Sequence, residues 1–249
     1  MKTPLEFYND ASDPSRWGRV EMPEQGEVTR RWLERLPLPA GPVVELGSGA
    51  GGLSSMHPRY VALDYSLPAL ALFHAPRVNA DMQLLPFRDS SVACVFSWAA
   101  LEHVPRPELV LDEIARVLVP GGVAILAPAW HCRPWAAEGL EFLPYSELTP
   151  TQRIRKRLIP LRNNILLRAA REVVPRVLAE VRSGPLPFRY KRLTPNLERY
   201  IGTDCDAFTS MDPHAMIAWF RSRGWEVASH ATRKARMMAR HEAVVVRKP

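Results

Sequence analysis

With 249 residues, 47% of them hydrophobic and 24% charged, the chain has enough apolar material for a sizeable core and the composition of a globular protein. That excludes a wholly disordered, collagen-like or membrane-embedded chain; the longest nearly apolar run, Val92 to Leu101, falls far short of the roughly 20 residues a bilayer needs. The net charge of +7 is concentrated in one place: Thr151 to Arg192 holds 12 Lys and Arg against Glu172 and Glu180, a local +10, so the remainder of the chain carries −3.

The amino-terminal stretch MKTPLEFYNDAS has one lysine and no apolar block behind it, unlike a secretory leader. Cys94, Cys132 and Cys205 are odd in number and outside any C-x-x-C, which argues against a disulfide framework or a zinc ribbon. A reducing cytoplasm is the expected location. EVTRRWLERL (27–36) reads as a short helix. From Pro42 to Pro128, strands and helices alternate. PVVEL, RYVAL, ACVFSW and VAILA are short apolar runs of the kind buried in a parallel sheet, with a third strand expected just before Asp81. LPALALFHA and PELVLDEIARVL carry helical spacing, and Leu109, Leu111, Ile114 and Leu118 of the second can face the sheet. Pro120-Gly121-Gly122 is expected to end that helix.

After Pro128 the alternation stops. The basic stretch IRKRLIPLRNNILLRAAREVVPRVLAEV has apolar residues at positions 154, 158, 161, 165, 169, 173, 177 and 181, close to helical spacing, with Pro160 and Pro175 expected to break it. Pattern returns as a helix over 213–223 and strands over 225–229 and 242–246. The organisation is therefore an N-terminal segment and helix (1–41), a cofactor-binding core (42–128), a basic helical cap (129–211) and a completion of the sheet (212–249). The fold class is α/β, a doubly wound Rossmann-like sheet.

The strongest local signal is VVELGSGAGG (43–52), a strand running into a glycine-rich turn, where the backbone lets a ligand approach and a following helix start would offer free N–H groups. Alone it is weak, because Gly47, Gly49 and Gly52 also satisfy G-x-G-x-x-G. Three acids sharpen it. Glu45 stands where a carboxylate can accept from an ammonium, Asp64 ends the second strand where an acid binds ribose hydroxyls, and Asp81 follows the third.

These residues resemble the class I S-adenosylmethionine-dependent methyltransferases, in the subgroup whose pattern runs E-L-G-x-G-x-G, D, A-D-x-x-x-L-P-F-x-D-x-S, L-E-H-V and R-V-L-x-P-G-G. VELGSGAG, ALDYS, NADMQLLPFRDSSVACVFS, ALEHV and RVLVPGG follow that order from Val43 to Gly122. The resemblance implies a seven-stranded sheet, mostly parallel with the last strand antiparallel, and S-adenosyl-L-methionine as cofactor. It implies that Glu45, Gly47 and Gly49 line the methionine end, that Asp64 with neighbouring Tyr65 takes the ribose, and that Asp81 and Met82 flank the adenine. Ser97 and Trp98 continue the cofactor wall. One departure is the short stretch GGLSSMHP, which abbreviates the first crossover helix.

Methyl transfer needs nucleophile, methyl and sulfur held in line, and a hydroxyl nucleophile also needs a base. His103, after the fourth strand, is the first candidate and His131, after the fifth, the second. Asp204, Asp206 and Asp212 cluster with His214 in sequence; magnesium uses such oxygens, but Asp212-Pro213 reads as a helix cap and no metal site is assigned. Residues 200–227 resemble the tail of methyltransferases of carbohydrate and cell-envelope biosynthesis, which points to a saccharide hydroxyl as acceptor and makes Trp130, Tyr145, Asp204 and Asp206 substrate candidates. A lipid or quinone acceptor is the alternative. The basic insertion reads first as a lid over the substrate, with a homodimer interface or a contact with anionic lipid as alternatives. Its scarcity of aromatic residues argues against nucleic acid, although an RNA- or membrane-binding module on a vestigial cofactor fold is the rival reading from another class.

Overall fold

The computed structural model describes residues 2–10, 22–72, 74–162, 164–198, 200–202 and 204–249, with the side chains of residues 162 and 165–171 outside the description. The chain opens with two helices, α1 (Pro4–Tyr8) and α2 (Pro23–Arg35). It then builds β1 (Val43–Leu46), β2 (Tyr60–Asp64), α3 (Leu67–Leu70), β3 (Arg77–Asn79), β4 (Val92–Trp98), a 3₁₀ turn at Leu101–His103, α4 (Pro107–Val117) and β5 (Leu118–Ala127). The insertion contributes α5 (Pro134–Ala137), α6 (Pro150–Arg157), α7 (Ile159–Arg162), α8 (Ile165–Val181) and a hairpin of β6 (Tyr190–Arg192) and β7 (Thr209–Met211). α9 (Pro213–Arg221), β8 (Glu226–Val227), α10 (Arg233–Met238) and β9 (Val244–Arg247) finish the chain.

Seven strands form one sheet in the order β3-β2-β1-β4-β5-β9-β8, and only β9 runs against the rest. The doubly wound, mostly parallel sheet with its last strand antiparallel is thus as expected. β1, β4 and the second half of β5 are buried on both faces, so their Val, Ile, Leu and Phe side chains are packed on either side. One face is covered by α4 and α9, with Val110, Leu111, Ile114, Ile217 and Phe220 against Val44, Leu46, Val95 and Leu126. The other receives α2, whose Val28, Trp32 and Leu33 pack on Val43, Cys94, Phe96 and Ile125. Strand order reverses between β1 and β4, which is where open α/β sheets form a crevice for ligands at the carboxyl edge.

Several local expectations change. No helix follows the glycine turn: residues 49–56 are consecutive turns, so any donors there come from turn backbone. LPALALFHA yields a helix of only four residues, α3. Pro120-Gly121-Gly122 lies inside β5 because α4 already ends at Val117; Gly121, at φ +75°, turns its N–H to the Lys248 carbonyl beside β9. Pro160 is the second residue of α7, just after the break that follows α6, but Pro175 sits within α8 without ending it. The cap is not purely helical, since β6 and β7 pair within it. Residues 165 and 169 of its apolar series lie outside the described side chains. Among the described residues no helix is long and apolar enough to cross a membrane.

Candidate active site

At the end of β1 the glycine turn combines closed and open positions. Gly47, at φ +73°, is pressed against the loop after β4: a Cβ there would stand 2.3 Å from the Ala100 Cβ and 3.5 Å from the Met82 methyl. Gly49, at φ +51°, faces open space, with nothing within 4 Å of where a Cβ would be. That opening lies beside Asp64, which ends β2 and accepts from the Gly49 N–H at 2.8 Å and the Ser66 N–H at 2.7 Å. Burial pushes the Asp64 carboxyl up and those backbone donors pull it back down. Each oxygen keeps lone-pair capacity toward the crevice, as a ribose diol requires. The bare face of Gly49 and this carboxylate fit an adenosyl ligand.

The other expected cofactor residues fall into two groups. Asp81 accepts from the Gln83 backbone and side-chain N–H groups at 2.8 to 3.1 Å, fixing the turn after β3 so that Met82 packs beneath Gly47. Tyr65 is 37% exposed next to Asp64. Glu45, Ser97 and Trp98 point elsewhere. Glu45 is buried and accepts from the Tyr60 hydroxyl at 2.5 Å, and burial lifts its carboxyl to about 8. Ser97 is fully buried with its hydroxyl on the Leu46 carbonyl, so its side chain ties β4 to β1 and offers no wall. The Trp98 indole donates to Thr29 on α2 at 2.9 Å. Alternation puts Glu45 and Trp98 on the face covered by α2 and Ser97 on the face covered by α4 and α9, where each finds a protein partner.

Above the crevice sits a cluster drawn from three distant segments. His103 places Nδ1 3.4 Å from Asp206 Oδ2 and Nε2 3.5 Å from Glu102 Oε1. Tyr8 of α1 donates its hydroxyl to the same Asp206 oxygen group at 3.0 Å, and its carbonyl accepts from the Ser66 hydroxyl at 2.8 Å. The cap reaches this point because Phe208 N–H and the Thr209 hydroxyl both donate to the Glu102 carbonyl. Burial works against a charged His103, but Asp206 and Glu102 outweigh it and hold the imidazole above its usual value. Burial pushes Glu102 and Asp204 up, with His103 opposing both. Tyr8 is raised by burial first and by Asp206 second.

His131 belongs to a neighbouring cavity of about 430 Å³ walled by α8, the β6–β7 hairpin, α9 and the loop after β5. Its backbone N–H donates to the Met211 carbonyl, and its ring stands 3.9 Å from Glu172. Arg176 grips Asp212 through two hydrogen bonds, while Asp212 also caps α9 by accepting from His214 N–H. Of the aromatic candidates, neither Trp130 nor Tyr145 lines this cavity; Trp130 packs on the α4 side of the core and Tyr145 lies outside, 45% exposed. Trp135 lines it instead. Thr203, part of the expected substrate loop, lies outside the described residues.

Ala99, His131 and Asp204 all hold positive φ, at 47°, 60° and 62°. Such backbone costs of order 1 to 3 kcal/mol per residue and concentrates at functional sites. All three flank the crevice and cavity. Sequence reasoning missed Tyr8, Ser66, Glu172 and Arg176. For Tyr8 a signal existed: Thr3-Pro4-Leu5-Glu6 is a capping box that announces α1, although nothing local tells where the helix docks. Among the described residues, no group of three or more His, Cys, Asp or Glu side chains is arranged to hold a metal ion.

Comparison with known proteins agrees with this geometry. Residues 44–126 match the family model described as a methyltransferase domain. An uncharacterized chloroplastic methyltransferase of Arabidopsis thaliana is 30% identical over 150 residues, covering 52% of this chain and 40% of that protein. A malonyl-[acyl-carrier protein] O-methyltransferase of a Marinomonas species is 36% identical over 118 residues, covering 41% and 44%. A protein of Mycobacterium ulcerans described as a probable phthiotriol/phenolphthiotriol dimycocerosates methyltransferase is 34% identical over 161 residues, covering 51% and 60%. The chain therefore spans less than two thirds of each of these relatives, and its cap lies beyond the family match. Residues 44–126 are therefore similar to a methyltransferase domain, and they supply five of the seven strands of the sheet.

Proposed function

We propose that the whole chain transfers a methyl group from S-adenosylmethionine to an oxygen of a small-molecule acceptor whose body lies in the cap cavity and whose hydroxyl reaches out of it to the neighbouring His103. The observation that carries this is the adjacency of two built features at one sheet edge: the open glycine turn with Asp64, and the His103–Asp206 pair brought over it by the cap. Bound S-adenosylmethionine supplies a methyl group already activated by the sulfonium charge. The chain has to orient and to remove a proton. Asp64, the Gly49 face and Met82 hold the adenosyl end; His103 takes the acceptor hydroxyl proton as the oxygen gains the methyl group, and Asp206 stabilises the imidazolium that forms. Glu102 and Tyr8 fix these two groups. α1 packs on this pair through Tyr8 and the β6–β7 hairpin through Thr209.

An amphiphilic acceptor is favoured by the cavity wall, where Leu178, Leu186, Pro187, Ala215 and Ala218 provide apolar surface. The acyl and lipid acceptors in the names of two relatives are consistent with that class. A saccharide hydroxyl is the second reading, supported by Trp135, whose indole can stack on a sugar face. The test is transfer of labelled methyl from S-adenosylmethionine to a panel of alkyl and acyl alcohols and glycosides, beside calorimetric binding of S-adenosylhomocysteine. Binding of S-adenosylhomocysteine with label in a hydroxylated amphiphile is expected. Label only in glycosides selects the second reading, and absence of S-adenosylhomocysteine binding removes the proposal.

A further inference from the structure

We infer that the cap cavity is built for an acceptor carrying an oxyanion, a phosphate or a carboxylate, at the end of an apolar body. This rests on the reading of the cavity as the acceptor site and adds the substrate class. Five cations line the cavity against two carboxylates, Glu172 and Asp212. Those two are already engaged: Asp212 is gripped by Arg176, and Glu172 lies between Arg176 at 3.8 Å and His131 at 3.9 Å. Arg133 stands 3.7 Å from Glu141. That leaves Arg182 at the end of α8 and Arg189 and Lys191 at the hairpin, all exposed at the cavity mouth, with no side-chain ion pair or hydrogen bond among the described residues.

Three like charges around one opening repel one another, and an anion seated between them relieves that. Guanidinium groups suit the planar, two-oxygen face of a carboxylate or phosphate. A second, independent feature is the Trp135 indole N–H. It is buried in the cavity wall with no acceptor among the described residues, a donor that a ligand oxygen would satisfy. The apolar part is equally defined. Leu178 lines the cavity while 43% exposed, and Leu186 and Pro187 line it as well, so the wall carries an apolar stripe on either side of Arg182 in the chain. A free inorganic anion would use only the cations, and an uncharged alcohol only the stripe.

The probes are octyl phosphate, octanoate, octanol and inorganic phosphate, each titrated calorimetrically into the full chain saturated with S-adenosylhomocysteine. Octyl phosphate or octanoate should bind about tenfold or more tightly than either octanol or inorganic phosphate, the difference expected for one or more charge-assisted hydrogen bonds; which of the two binds tighter names the oxyanion. The double variant Arg182→Gln/Arg189→Gln should bring the charged amphiphile down to the octanol level, with its melting temperature and S-adenosylhomocysteine affinity unchanged because both side chains are exposed and unpaired. Octanol binding as tightly as octyl phosphate and octanoate, inorganic phosphate binding as tightly as either, or a double variant that binds like the parent overturns the inference. Because S-adenosylhomocysteine binding is read first, failure of the cofactor reading is seen separately.

Discussion

The cofactor cradle and the cap solve the problem of holding a ligand in different ways. The cradle is made of backbone: a turn pressed shut at Gly47 and left bare at Gly49, held by one carboxylate that bonds two backbone N–H groups. The cap is made of side-chain charge, with Arg176 on Asp212 and Glu180 among Arg236, Arg221 and His214 fastening α8 to the completed sheet. Backbone geometry of this kind tolerates little substitution where it is pressed shut, as at Gly47. Ion pairs at a surface can be rearranged without rebuilding a strand, which would suit the cap if it holds the acceptor as proposed.

The glycine turn offers the sharpest break of this contrast. Gly47→Ala combines a left-handed φ, at about 1 to 2 kcal/mol, with a Cβ contact of 2.3 Å that can be relieved only by moving the β4 loop, for a total of about 2 to 5 kcal/mol. It should lower the melting temperature markedly and abolish S-adenosylhomocysteine binding. Gly49→Ala should cost only about 1 kcal/mol in stability, since the space is open, yet still weaken that binding because the methyl group would occupy the ligand's approach. Calorimetry and thermal melts on both variants check the pair; full affinity in Gly49→Ala would show that the bare face is not where the adenosyl group lies.

Next in size is His103→Ala, expected to lower turnover by about 10² to 10⁴ while leaving S-adenosylhomocysteine affinity near the parent value. The rate of the parent should rise with pH and level off once the imidazole loses its proton, above the ordinary histidine range because Asp206 and Glu102 favour the charged form over the opposing effect of burial. Asp206→Asn removes one of those carboxylates and should move that rising limb to lower pH. An unmoved limb assigns the titration to another group.

The cradle was legible because its determinants are local. Val43 to Gly52, Asp64 and Asp81 each sit within a few residues of the turn they govern, so the strand-turn pattern names them directly. Even so, the pattern did not tell that the Ser97 hydroxyl bonds the Leu46 carbonyl and the Trp98 indole bonds Thr29, because both partners lie far off in sequence. The cap was legible only as a basic amphipathic insertion. Its fastenings join residues far apart in sequence, Tyr8 to Asp206, Arg176 to Asp212 and Glu180 to Arg236, and no periodicity carries a pairing of that range. Cavity charges were visible in composition, but their focus on one opening needed the hairpin that folds Arg189 and Lys191 back toward Arg182.

Glu180→Gln separates the regions thermodynamically. The side chain is 2% exposed, and although burial opposes its charge, hydrogen bonds from Arg236 and the field of Arg221 hold its carboxyl below the usual range. Replacing it leaves Arg236 and His214 without their shared anion, a loss of about 2 to 3 kcal/mol once the exposure of Arg221 is allowed for. A depressed carboxyl stabilises the fold above its ordinary range and loses that contribution as pH falls through its folded value, so the deficit of the variant should shrink in acid. S-adenosylhomocysteine affinity should stay at the parent level, and a fall would couple cap to cradle.

The smallest effect asks whether Glu45 belongs to the cradle or only to the sheet. Its carboxyl stands near 8 because it is buried, with the Tyr60 hydrogen bond and the nearby Asp64 acting in opposite senses. A raised carboxyl stabilises the fold most at low pH and loses that contribution as pH climbs from the ordinary glutamate range, about 4.3, toward 8. Glu45→Gln keeps an oxygen for the Tyr60 hydroxyl and removes the titration, so between pH 5 and pH 9 the parent should lose about 1 kcal/mol or more relative to the variant. S-adenosylhomocysteine carries the same amino-acid ammonium as the methyl donor. If Glu45 senses that ammonium, saturating ligand lowers its carboxyl and closes the gap at high pH in thermal melts. A gap that persists unchanged with ligand bound makes Glu45 a pairing residue of β1 and β2, and leaves Asp64 as the acid of the cradle.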